Sequence, residues 1–111
     1  MSSRPLEKLI TVLNEFRYLD SETPAQLMVV FLYIATHEGC LKVDMQRAID
    51  MTGPSASRNT DWLSKYHRSN KGRGLELINK QQDPTNRSRV LLTLTPKGRQ
   101  LATKIQTILD G

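Results

Sequence analysis

Apolar residues recur at helical spacing near the start of the chain. Leu6, Leu9, Ile10, Leu13, Phe16 and Leu19 predict a first helix over Pro5–Leu19. Ser21, Glu22 and Thr23 interrupt the pattern, and Thr23-Pro24-Ala25-Gln26 has the form of a capping box with Pro24 at the first helical position. The second helix directs Leu27, Val30, Phe31, Ile34 and Ala35 to a core and stops at Gly39. Cys40–Val43 reads as one short strand, and Asp44 as the N-cap of a third helix with Met45, Ala48, Ile49 and Met51 inward. Pro54 disfavours helical geometry at Gly53, so a turn over 51–55 separates this helix from a fourth, Pro54–Tyr66, which Thr52 or Ser55 can cap. Its packing residues are Ala56, Leu63 and Tyr66, with Trp62 at the edge.

Period-two alternation then takes over. A polar, glycine-punctuated loop, His67–Gly74, leads to strand Leu75–Lys80, and Arg89–Thr95 reads as its partner across a polar loop, Gln81–Ser88. Thr95-Pro96 opens a last helix with a stripe of Leu101, Ala102, Ile105, Ile108 and Leu109. The fold class is mainly α with a small β-hairpin. Two short helices at a tight glycine-containing turn, followed by a hairpin and a helix, make a winged helix-turn-helix.

Charge sharpens this picture. Residues 1–57 carry five bases and seven acids, net −2, whereas residues 58–111 carry eleven bases and four acids, net +7. The whole excess of the chain, +5, is thus in the hairpin half, which points to a polyanion: nucleic acid or an anionic membrane surface. With 111 residues one domain over 1–111 is expected. No apolar run approaches the ~18 residues of a membrane span, and no signal-peptide pattern opens the chain, so a cytoplasmic protein is expected. The lone Cys40 excludes an internal disulfide and a multi-cysteine metal site, and reads as a small buried residue rather than a redox sensor. His37 and His67 have no ligand partners at metal spacing, and no nucleophile–base pair or nucleotide loop is present. Neither catalysis nor a cofactor is expected.

Two stretches carry a resemblance. Asp83-Pro84-Thr85-Asn86-Arg87-Ser88-Arg89 followed by Leu94-Thr95-Pro96-Lys97-Gly98-Arg99 is similar to the D-x-x-D-x-R wing and L-T-x-x-G-R helix start of the MarR family of bacterial regulators. Ser55-Ala56-Ser57-Arg58 with Leu63 resembles that family's S-T-V-S-R…L recognition helix. The likeness runs over about residues 24–103; Asn86 stands where the family has Asp, and the Tyr66–Gly74 loop is about five residues longer. The resemblance implies a homodimeric regulator of transcription that binds double-stranded DNA, with no membrane partner. No small-molecule effector is predicted.

On that reading the first turns of the fourth helix face base edges in the major groove. Arg58 is suited to guanine, Asn59 to adenine and Asp61 to cytosine N4, while Ser55 and Ser57 contact phosphate or cap the helix. Lys71 and Arg73 supply nonspecific phosphate contacts, with a flexible loop without a partner as the alternative, and Lys65 is a further DNA-binding residue. Arg87 and Arg89 enter the minor groove from the wing, with Glu76 as an alternative cross-strand partner for Arg89. Phe16, Tyr18, Phe31, Tyr33, Trp62 and Tyr66 read as core or interface rather than as base-stacking residues. The terminal helices, about 5–19 and 96–109, are the expected dimer elements, through Leu6, Leu9, Leu13 and Phe16 on the first and Ile105, Ile108 and Leu109 on the last. A winged helix that binds a protein partner instead is the alternative function.

Overall fold

The structure is a computed structural model that describes residues 4–65 and 72–111. Its elements run α1 (Arg4–Leu19), α2 (Ala25–Thr36), β1 (Cys40–Leu41), α3 (Lys42–Ile49), α4 (Gly53–Leu63), β2 (Ile78–Asp83), β3 (Asn86–Leu94) and α5 (Pro96–Asp110). The strands form one antiparallel sheet in the order β1-β3-β2, with Cys40 opposite Leu92 and Ile78 opposite Leu94. The core lies where α2, the helix pair α3–α4 and the inner face of this sheet meet. Leu27, Val30, Phe31 and Ile34 fill it from α2, Met45 from α3, Ala56 and Leu63 from α4, and Leu77, Ile78 and Leu92 from the sheet side. Phe16 of α1 meets Phe31 edge to face at 5.8 Å between ring centroids.

Capping explains two helix starts and moves two others. The Thr52 hydroxyl accepts from Ser55 N (3.2 Å) at the head of α4, and the Thr95 hydroxyl accepts from Gly98 N (3.0 Å) at the head of α5. Thr23 caps no helix start. Its hydroxyl donates to the carbonyls of Phe16 and Asp20, closing α1 instead, and Pro24 takes the N-cap position of α2 without a side-chain bond. The third helix begins at Lys42 rather than after Asp44, because β1 pairs only Cys40 and Leu41 with β3 and leaves Lys42 and Val43 to the helix. From Met45, Ile49 lies about 40° round the helix and Ala48 about 60° the other way. Ile49 packs against the core, and Ala48 is exposed.

The hairpin departs most from the pattern. Leu75 and Leu77 are buried but not in a strand. Their amides donate to the carbonyls of Trp62 and Leu63, and Glu76 N donates to Ser64 O, so this segment satisfies the orphan carbonyls at the end of α4. Gly74 makes the approach possible: a Cβ there would stand 2.0 Å from Ser64 O. Hydrogen bonding to β3 therefore starts at Ile78 and continues to Asp83, leaving only Pro84 and Thr85 between the strands in place of the eight-residue loop expected. The polar ribbon is held by its own side chains. Asp83 Oδ1 accepts from Thr85 N and Oγ1 (2.9 and 2.8 Å), and Asn86 Oδ1 accepts from Ser88 N and Oγ (3.1 and 2.6 Å).

Candidate nucleic-acid interface

Helix α4 has two faces. Ala56, Asn59, Thr60 and Leu63 are buried, whereas Pro54 and Arg58 are exposed, with Ser57 and Asp61 half-buried at the border. Lys65 follows the helix and is exposed. Arg58 makes no hydrogen bond or ion pair among the described residues and stands on the outward face of α4. Asn59 does not. It is 9% exposed, and its amide nitrogen donates to Ser55 O at 2.8 Å and reaches Gln26 Oε1 at 3.5 Å. Contrary to its expected place on the outer face beside Arg58, Asn59 points inward, because one residue on from Arg58 is a turn of about 100° toward the core. Ser55 is half-buried and its hydroxyl donates to Gln26 Oε1 at 3.3 Å, so Gln26 of α2 steadies the first turn of α4.

The border residues are also engaged. Lys42 Nζ, from the first residue of α3, donates to Ser57 Oγ at 2.6 Å. Lys80 Nζ, from β2, lies 2.6 Å from Asp61 Oδ1. The carboxylate placed by sequence at cytosine N4 is thus already in an ion pair. Burial pushes the Lys42 ammonium below its ordinary pKa, and Lys80 nearby adds to this while Asp61 opposes it. Lys42 and Lys80 were not foreseen as members of the site. Lys80 had a signal, since its place on the hairpin puts it beside the recognition helix once the wing folds back; Lys42 had none.

Arg87 and Arg89 are exposed on β3, where the register breaks between Gln82 and Asp83. Glu76 is not a cross-strand partner: it sits before β2 at φ 57°. The carboxylate that feels Arg89 is Asp83, held below the usual range chiefly by the Thr85 amide, then by the Thr85 hydroxyl, with Arg89 adding to these. Arg89 and Ser88 share a crevice with Lys42 and Gln46 of α3. Since Lys42 also bonds Ser57, the wing and recognition helix flank the start of α3 on one surface. Arg73 is exposed before β2; Lys71 lies outside the described residues, as do Tyr66 and His67.

Away from this surface, burial lifts the Cys40 thiol above its ordinary pKa, which disfavours the thiolate. Among the described residues no group of three or more His, Cys, Asp or Glu could hold a metal ion, and no helix is long and apolar enough to cross a membrane. Tyr18 is largely exposed, and Phe16 and Ile105 are buried within the single chain, so these last two are not free for a second copy.

A helix-turn-helix from α3 and α4, a β2–β3 wing and a flanking α1–α5 pair make this a winged-helix protein with the MarR-type fold. The chain is similar to the MepR–DNA complex of S. aureus (TM-score 0.70, 21% identity, over 94% of this chain and 74% of that one). It is likewise similar to MarR (0.64, 18%, 96% and 76%) and to Bordetella bronchiseptica BpsR (0.59, 24%, 94% and 74%), a structure concerned with regulation of DNA binding by 6-hydroxynicotinic acid. No protein-family model matches the chain, and no curated protein matches its sequence.

Proposed function

We propose that this protein is a homodimeric transcription regulator of the cytoplasm that binds double-stranded DNA, with α4 in the major groove and the wing along the adjacent minor groove. The observation that carries the reading is the shared surface. Arg58 stands out from α4 with no competing partner among the described residues, and the α3 start is flanked by that helix on one side and Arg89 on the other. Ser57, Arg58, Lys65, Arg73, Arg87 and Arg89 are its DNA contacts, with Lys71 beside them in sequence. The MepR and AbfR structures, which share this fold, are DNA complexes. The second copy docks on α1 and the end of α5, where Leu6 (61% exposed), Leu9, Ile10 (60%), Leu13 and Leu109 stay uncovered. Arg4 and Lys8 reach the Gly111 and Leu109 carbonyls and join these residues into one patch. A two-fold dimer of this kind spaces its recognition helices by about one DNA turn, roughly 34 Å.

The test is a gel shift on duplex DNA from the protein's own upstream region at several salt concentrations. Binding should fall steeply with salt, and Arg87→Ala should flatten the log–log slope by about 0.9. A retained partner in salt-independent association with the same face, and no DNA shift, would establish the protein-binding alternative.

A further inference from the structure

Four side chains from three elements meet between the recognition helix and the wing root: Lys42, Ser57, Asp61 and Lys80. Lys42 Nζ is committed to Ser57 Oγ at 2.6 Å, and Lys80 Nζ to Asp61 Oδ1 at 2.6 Å. Neither member of the ion pair is fully buried; the Lys80 side chain is 23% exposed and that of Asp61 39%. The outward border of α4, where a DNA backbone would pass, therefore carries a carboxylate that holds a lysine. A carboxylate and a phosphate want the same thing from that lysine. We propose that Asp61 is an internal competitor for DNA phosphate, which neutralises Lys80 and docks the wing root onto α4, and so limits sequence-independent attraction. This rests on the DNA-binding reading above.

The argument is one of charge balance. With the pair intact, Lys80 contributes no net counterion release: the Lys80–Asp61 pair itself sums to zero charge, and Lys42 beside it is the same in every variant compared. With Asp61 neutral, the same lysine has a net charge to offer. One added phosphate contact steepens the log–log salt slope by about 0.9, which is roughly eightfold in affinity across one decade of salt. With Lys80 removed alone, the carboxylate is left facing phosphates and repels them. The two roles open to Asp61 thus have opposite signs. As a base reader, its loss lowers affinity and relaxes one position of the site; as a counter-ion, its loss raises affinity on every duplex.

The experiment uses the full chain as wild type, Asp61→Asn, Lys80→Met and the double variant. Fluorescence anisotropy with a random-sequence 30-base-pair duplex is followed over a salt series, with a thermal melt of each protein. Asp61→Asn should bind tighter than wild type at 0.1 M salt, with a slope about 0.9 steeper, so that its advantage grows roughly eightfold for each tenfold fall in salt. The double variant should return to the wild-type slope, and Lys80→Met should bind more weakly than the double. Equal binding by Lys80→Met and the double variant would overturn the proposal, as would a wild-type slope for Asp61→Asn. Should Asp61→Asn melt below the assay temperature, Asp61→Ala takes its place, alone and combined with Lys80→Met, with the same expected order of slopes. A wild type that binds no duplex at any salt would instead remove the DNA-binding reading, and this inference with it.

Discussion

Gly98→Ala separates local helix preference from tertiary packing, because the two predict opposite signs. Gly98 lies in the first turn of α5, and on propensity alone Ala there gains about 1 kcal/mol. The structure gives the other answer. A Cβ on Gly98 would stand 2.0 Å from the Leu77 carbonyl oxygen and 3.0 Å from its carbon, both backbone atoms in a fully buried residue. Ordinary contact begins at 3.4 Å, so α5 must back away by about 1.4 Å. That movement strains the Thr95 N–Leu77 O bond (3.1 Å) and the Thr95 hydroxyl bond to Glu76 O (2.7 Å), which together pin α5 to the wing root. Overpacking costs about 1–3 kcal/mol and the weakened hydrogen bonds about 1 more, against the 1 gained. The net is a loss of about 1–3 kcal/mol, or roughly 4–12 °C in Tm for a chain of this size. Thermal melts by circular dichroism measure it, with Gly53→Ala as the control, since its Cβ would meet only the Gln46 side chain, at 3.8 Å. A Gly98→Ala Tm equal to or above wild type would refute the packing argument.

Arg58→Ala should weaken operator binding by about 1–3 kcal/mol and relax one base position without moving Tm, whereas Asn59→Ala should lower stability by up to about 1 kcal/mol and leave base preference intact; selection on a randomised operator and a melt of each check both. Ile10→Glu places a charge in the uncovered α1 patch. It should turn a species of twice the chain mass into one of single mass by sedimentation at micromolar concentration; a wild type already of single mass would remove the dimer from the proposal. Glu38 accepts from both terminal nitrogens of Arg99 and from Leu94 N, and the Arg99 bonds hold its carboxyl below the ordinary range despite some opposing burial. A depressed carboxyl stabilises above its unfolded pKa, and this is lost as pH falls through the folded value. Glu38→Gln should therefore cost about 1 kcal/mol at pH 7 after solvent screening, and the Tm gap to wild type should close in acid. A gap that stays constant with pH would mean that the ion pair contributes nothing.

Periodicity in the chain itself determined that the helices form, since a helix closes its hydrogen bonds within a few residues, while capping chemistry placed the starts of α4 and α5 but not of α2 and α3. Thr52 and Thr95 cap where their sequence context places them, and the apolar stripe from Leu27 to Ile34 faces the core. The winged-helix order and the outward placement of Arg58 were legible for the same reason. The strand ends were not. A ladder bond needs a partner distant in sequence, and Leu75–Leu77 spend their amides on the end of α4 instead of on β3. A polar ribbon such as Gln81–Ser88 carries no burial alternation to mark it, so only its pairing and its Asp83 and Asn86 bonds reveal the strands. Likewise the tertiary structure alone decided that Asn59 is buried beside Gln26 of α2 and that Asp61 is held by Lys80. A side chain's type states what it can bond; which partner it meets depends on elements that the sequence brings close only after they have packed.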